Sequence, residues 1–196
     1  MTRLHEEIAA DCGASPRIAR DLDLRTLIRT VPDFPKPGVQ FRDITTLLKD
    51  GAAFHGVVEA LAMAYRESSV DKVAAIESRG FIIGAAVASW LRVGFVPIRK
   101  PGKLPAESFG QDYELEYGSD RLEMHRDALQ PGERVLLIDD LIATGGTAEA
   151  AVKLIGTAGG SIVGCGFVID LPDLGGTKRL EARGCAVMAL CRFSGH

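Results

Sequence analysis

Cysteine is scarce in this sequence, and none of the four stands in a metal-binding spacing. Cys12, Cys165, Cys185 and Cys191 form no Cys-x-x-Cys pair and match no histidine spacing. Structural zinc and a disulfide framework are therefore unexpected, and reduced thiols in a cytoplasmic protein are the default. Excess charge is lacking too: 23 Lys and Arg oppose 26 Asp and Glu, a net charge of −3. A general nucleic-acid binder would be basic, so no nucleic-acid partner is expected. Long apolar runs are missing as well. The most apolar stretch, residues 81–98, contains Arg92 and Gly94 and reads as a helix followed by a strand, not a membrane span. Glu6, Glu7 and Asp11 sit where a secretory signal would need an apolar core. No Walker-type Gly-Lys-Ser/Thr loop and no Gly-x-Gly-x-x-Gly turn after a strand occurs. There are no internal repeats.

What is present suits one domain. A chain of 196 residues buries about 70% of its unfolded surface. Ser15-Pro16 predicts the start of a helix running to about Ile28, within an N-terminal helical segment of residues 1–30. A Pro-rich stretch, residues 31–38, ends it, and the rest of the chain, 31–196, reads as the main domain. Residues 39–44 predict a short strand. Phe54, Val57, Val58 and Leu61 recur at helical spacing over 51–67. Strands are then expected at 72–76, 95–98, 134–138, 161–169 and 186–191, alternating with helices at 81–91, 147–157 and 174–182. Apolar strands alternating with helices imply an α/β fold, a mostly parallel sheet covered on both faces. Residues 107–126 are polar and aromatic without a core-like run. They predict a hairpin or lid outside the sheet, a small hood over approximately 100–126.

Residues 135–147 carry the most information. Val135, Leu136, Leu137 and Ile138 lead into two adjacent carboxylates, Asp139 and Asp140, and then into Ala143-Thr144-Gly145-Gly146-Thr147 and an Ala-rich helix. Two glycines let several N–H groups converge on one point. With a helix N-terminus and two threonine hydroxyls, that point is a seat for a phosphate. Two carboxylates would repel a bare anion. They suit a neutral or cationic group, such as the hydroxyls of a ribose or a magnesium ion. A phosphate seat beside a diol clamp fits a ribose 5-phosphate.

The other polar clusters fall where a parallel sheet gathers them. Glu77-Ser78-Arg79-Gly80, Arg99-Lys100, Asp139-Asp140 and Asp170-Leu171 each follow a predicted strand, so all lie at one sheet edge, where ligands bind. Ser78 and Arg79 ahead of an apolar helix form a second anion seat, and Arg99, Lys100 and Lys103 add positive charge.

The 135–147 segment resembles the signature of the type I phosphoribosyltransferases, which bind phosphoribosyl pyrophosphate. That resemblance implies that Asp139 and Asp140 hold the ribose hydroxyls and Ala143–Thr147 the 5-phosphate. It also puts a pyrophosphate loop at Glu77–Arg79, where some members hold a non-proline cis peptide. Residues 34–43 (Phe-Pro-Lys-Pro-Gly-Val-Gln-Phe-Arg-Asp), 99–105 (Arg-Lys-Pro-Gly-Lys-Leu-Pro) and 115–118 (Leu-Glu-Tyr-Gly) are similar to the adenine-specific branch of that family. The similarity covers roughly residues 31–171. It implies that Phe41 stacks on the purine with Leu171 on the opposite side, and that backbone at Gln40 and Arg42 reads the base. Glu116 would face the imidazole edge as the proton acceptor, while Lys103, Glu116 and Tyr117 sit in the lid. Ser78, Arg79, Arg99, Lys100, Lys103 and Tyr117 would hold pyrophosphate, and Arg79, Glu116, Asp139 and Asp140 would make up the catalytic set. Magnesium as cofactor and a homodimer with the edge near Arg99 at its interface come from the resemblance alone. Two alternatives stay open: a transferase for 6-oxopurines, and a non-catalytic sensor of phosphoribosyl pyrophosphate. The sensor would need a nucleic-acid-binding part, for which the ~30 residues before the site are short.

Overall fold

The structure, a computed structural model, describes residues 23–114 and 119–195. Most of the helix expected over 15–28 lies outside those residues, as do Glu116 and Tyr117. Within them the chain opens with α1 (Leu24–Leu27), capped by Asp23, whose carboxylate accepts the Arg25 backbone N–H at 3.1 Å. Strands β1 (Arg29–Pro32) and β2 (Gln40–Asp43) form an antiparallel hairpin, with Val31 opposite Phe41. The expected domain boundary at residue 30 falls inside β1. The Pro-rich segment forms the connection of this hairpin rather than a simple break, because prolines are tolerated at strand ends and turns. A short helix α2 (Thr45–Leu48) and the long α3 (Gly51–Tyr65) follow, the latter capped by Asp50.

The centre is a five-stranded, all-parallel sheet in the order β4 (Gly94–Ile98), β3 (Lys72–Ile76), β7 (Arg134–Ile142), β8 (Ser161–Asp170), β9 (Val187–Arg192). Helix α4 (Arg79–Leu91) links β3 to β4, and α5 (Gly146–Thr157) links β7 to β8. The period-2 alternation of the strands builds two cores. Val73, Ala75, Leu136 and Ile138 face α3 and α4, whereas Ala74, Val135, Leu137 and Phe167 face α5 and the hairpin of β5 (Ser108–Glu114) and β6 (Ser119–His125). The lid expected outside the sheet is therefore an antiparallel hairpin. Its one bridge to the sheet runs through Arg99 and Glu123, which exchange backbone bonds of 2.9 and 2.7 Å.

Two elements differ from the sequence expectation. Strand β7 does not end at Ile138 but continues to Ile142, because Leu141 and Ile142 pair with Ile169 and Asp170 of the long β8. Asp139 and Asp140 thus belong to the strand rather than to the loop after it. The helix expected over 174–182 is divided into a 3₁₀ turn (Pro172–Leu174) and α6 (Gly176–Glu181). Gly175 between them adopts φ +75°, a left-handed conformation that ends one helical run and starts the next.

Candidate functional site

At the C-terminal edge of the sheet lies a cavity of about 530 Å³, bordered by the ends of β3 and β7, the loop into α5, the start of α4, and the β5–β6 hairpin. The loop into α5 is built for an anion. Gly145 takes φ +79° and no side chain caps the helix, so first-turn N–H groups of α5 are left without a side-chain partner. Ala143, Thr144, Gly145, Gly146 and Thr147 all line the cavity. So do Ser78 and Arg79 across from them, where the Glu77–Ser78 peptide is cis.

Asp139 and Asp140 form the floor between these two ends. The Asp140 backbone N–H donates to Asp139 Oδ1 at 2.9 Å, which sets the two carboxyl groups side by side. Gly80 is required here: a Cβ at that position would stand 2.6 Å from Asp139 Oδ1. Burial pushes the Asp139 carboxyl well above its usual range, and the neighbouring Asp140 charge pushes it further. Burial also raises Asp140, while the Arg79 guanidinium opposes it. Arg79 Nε lies 2.8 Å from Asp140 Oδ2 as an ion pair, although that oxygen accepts no aligned hydrogen bond. Two acids that do not both ionise readily are a seat for a diol, or for positive charge brought by a ligand.

Phe41 reaches the cavity from β2. The Arg79 guanidinium sits 5.0 Å from its ring centroid, and Phe34 packs on it edge-to-face at 5.1 Å. The hairpin expected as a lid supplies another wall, through two residues that sequence reasoning missed. Tyr113 and Leu122 line it, and the Tyr113 hydroxyl hydrogen-bonds Asp120 at 3.2 Å and also the Thr147 side chain. Lys100 lines the cavity too, paired with Asp120, which raises the lysine's pKa and lowers the acid's. The alternation of β5 was the available signal for Tyr113, but polar neighbours masked it.

Other expected residues are arranged differently. Arg99 does not face the cavity: its Nε donates to Glu77 at 2.7 Å and its Nη1 to the Lys103 carbonyl at 3.0 Å, tying the lid's entry to the end of β3. Lys103 itself is exposed. The Arg42 side chain turns away, donating to Thr30 Oγ1 and, at 3.4 Å, to the Ser194 carbonyl, over the Phe193 ring at 4.4 Å. Gln40 is half-buried in β2, and Leu171 is buried in the core just beyond β8, outside the cavity lining. Among the described residues, no group of three or more His, Cys, Asp or Glu could hold a metal ion by itself. No helix among them is long and apolar enough to cross a membrane.

Residues 43–191 match the family described as phosphoribosyl transferase domain. The chain is 59% identical over 175 residues to the adenine phosphoribosyltransferase of Parvibaculum lavamentivorans, covering 89% of this chain and all of that one. Among solved structures it is similar to adenine phosphoribosyltransferase from Rhodothermus marinus, with TM-score 0.84, 49% identity, and coverage of 90% of this chain and 98% of that one. It is also similar to the Saccharomyces cerevisiae enzyme complexed with an imino-altritol bisphosphate and adenine, with TM-score 0.82, 35% identity, and coverage of 89% and 98%.

Proposed function

This chain belongs to the phosphoribosyl transferase family, and we propose that it is an adenine phosphoribosyltransferase, making AMP and pyrophosphate from adenine and phosphoribosyl pyrophosphate. The observation that carries this reading is one cavity holding an uncapped helix N-terminus, a carboxylate pair and a second helix start with Arg79, with an aromatic ring at its mouth. Along that line the 5-phosphate sits on Ala143–Thr147, the ribose hydroxyls on Asp139 and Asp140, and the pyrophosphate toward Ser78, Arg79 and Lys100. Lys103 and Tyr117 of the lid add to the pyrophosphate side. Arg99 acts there through Glu77 and the lid, not by direct contact. Phe41 supports the purine. Among the described residues strand β2 pairs with β1 alone, and its other edge offers backbone groups at Gln40 and Arg42 for reading a base. Leu171 forms apolar support behind it.

The reaction is a displacement at ribose C1. The C1–oxygen bond to pyrophosphate breaks with the electron pair leaving on pyrophosphate, the bond from purine N9 to C1 forms, and the N9 proton passes to a base. Glu116 is the proposed acceptor. Holding both substrates in line removes most of the entropic barrier. Arg79 and Lys100 offset charge on the leaving group, and the Asp pair faces the positive charge developing on the sugar. The hairpin side wall excludes water that would hydrolyse that sugar. The donor set fits magnesium carried by substrate oxygens: two adjacent acids, Asp139 and Asp140, without a third ligand to complete a protein cage. When bound, magnesium supplies positive charge against the departing pyrophosphate. The proposed setting is cytoplasmic, and the proposed assembly is a homodimer through the face near Arg99. Edge strand β4 and the partly exposed Ile82 and Trp90 of α4 support that choice.

The deciding experiment measures nucleotide formation against a panel of purines. A site that pairs with a 6-amino purine leaves polar groups unmatched on a 6-oxopurine, so adenine should exceed hypoxanthine by at least ~10²-fold in kcat/KM. Comparable rates would promote the 6-oxopurine reading.

A further inference from the structure

The loop that receives phosphate does not stand alone; it rests on α6. The Gly176 backbone N–H donates to the Ala143 carbonyl at 2.9 Å, and a Cβ on Gly176 would lie 2.3 Å from that oxygen and 2.7 Å from the Gly145 nitrogen. From the other side, a Cβ on Gly145 would meet Gly176 Cα at 2.9 Å. Backbone therefore packs directly on backbone, and a shift of α6 moves the loop.

Helix α6 has six residues, anchored in the core by the fully buried Leu180, and an ionic tie also joins it to α5. That tie is Glu149, in the first turn of α5 and only 4% exposed. Its carboxylate is paired with Arg179 on α6, with Arg183 just beyond α6, and with Lys153 one turn along α5 at 3.1 Å. Three cations hold its pKa below the usual range against the burial that would raise it. A carboxylate at this place has no evident reason for direct contact with substrate. It lies behind the helix start and, by charge alone, opposes a phosphate bound there.

We propose that Glu149 is a positioning residue for the 5-phosphate loop, clamping α6 beneath Ala143–Gly145 so that the loop's N–H groups converge. The inference rests on the loop being the 5-phosphate seat. Its two possible modes of action differ in sign. If Glu149 acts only through its charge, Glu149→Gln strengthens phosphate binding, most at low salt. If it clamps α6, the same change weakens binding.

The test is calorimetry with ribose 5-phosphate, a probe independent of the base, combined with steady-state kinetics well below each variant's Tm. Glu149→Gln and Arg179→Met should weaken ribose 5-phosphate binding by ~10-fold or more and raise the KM for phosphoribosyl pyrophosphate similarly. kcat should stay within about threefold, because no reacting atom is touched. Lys153→Met cuts only the bond within α5 and should leave binding within about twofold. Glu149→Asp keeps the charge and should restore part of the affinity if Gln is poorly folded. Undiminished or tighter ribose 5-phosphate binding in folded Glu149→Gln overturns the clamp. Failure of the wild-type protein to bind ribose 5-phosphate overturns the phosphate seat itself.

Discussion

Replacing Asp139 by asparagine should separate stability from activity. Burial and the adjacent Asp140 push the Asp139 carboxyl well above its usual range. An acid whose folded-state pKa is raised favours folding below its unfolded pKa and loses that benefit as pH rises through the folded value. Near neutral pH the ionised pair therefore costs stability. Asparagine has nearly the same shape as the protonated acid. Its oxygen can still accept the Asp140 N–H at 2.9 Å, and its amide can donate to the Asp140 carboxylate.

Asp139→Asn should accordingly match or exceed wild-type stability at pH 7–8. For a chain of this size, each kcal/mol relieved raises Tm by ~2–4 °C. The gain should shrink as the buffer is acidified, because wild type then acquires its own proton. Activity moves in the opposite direction. A charge-assisted bond to a ribose hydroxyl is worth ~1.5–3 kcal/mol, and a group facing developing charge ~2.7–4 kcal/mol. Even the lower figure is more than tenfold, and a loss of ~10²-fold in kcat/KM is expected. Differential scanning calorimetry across pH and initial rates with adenine measure the two effects. A variant with Tm lowered by several degrees and wild-type kinetics would refute both the cost of the buried charge and the diol clamp.

Gly145→Val places a branched side chain at φ +79° and a Cβ 2.9 Å from Gly176 Cα. It should reduce AMP affinity by ~10²-fold or more, and a folded variant with wild-type AMP affinity by calorimetry would count against the seat. Asp43 accepts from Arg29 Nε at 3.1 Å and from the Thr45 N–H at 2.9 Å, which hold its pKa at about 2 instead of 3.8. Because Arg29 is more than half exposed, Asp43→Asn should cost only ~1 kcal/mol near neutral pH. That gap should close as pH falls from about 4 toward 2, as read from urea midpoints; a constant gap would contradict the pairing. Sedimentation at micromolar concentration should give a dimer, and an active monomer would refute the proposed assembly.

The sheet was legible because a parallel strand buried on both faces reads as an almost unbroken apolar run, as β8 does from Gly164 to Ile169. The α5 loop was legible because few residue types can turn a chain that tightly. Side-chain direction was not. Arg99 and Lys100 are adjacent in sequence, yet Lys100 lines the cavity while Arg99 reaches back to Glu77. Arg42 neighbours Phe41 but turns toward the chain's other end, to Phe193 and Ser194. Such choices depend on partners 20 to 152 residues away in the chain, and no local pattern encodes them. The same holds for Tyr113, which lines the cavity together with Thr147 of α5, 34 residues further along the chain. The extension of β7 to Ile142 was hidden by Asp139 and Asp140, since two acids normally end a buried strand.

Those long-range pairings bear on how the site accepts its ligand. Each cation near the second anion seat already faces a carboxylate: Arg79 faces Asp140, Arg99 faces Glu77, and Lys100 faces Asp120. With Asp139 ionised as well, three positive charges stand against four negative ones. If the Asp pair shares a proton, the two sides are equal. In neither state do these side chains by themselves carry the net positive charge that a bare pyrophosphate needs. On the proposed reading, phosphoribosyl pyrophosphate therefore has to bring compensating charge of its own. A substrate-borne magnesium ion would supply that charge, and Asp139 and Asp140 are the residues that would face it and the ribose hydroxyls. The ion pairs leave little uncompensated side-chain charge at the second anion seat, so on the proposed reading a preference for pyrophosphate that carries its own cation follows from the charge count.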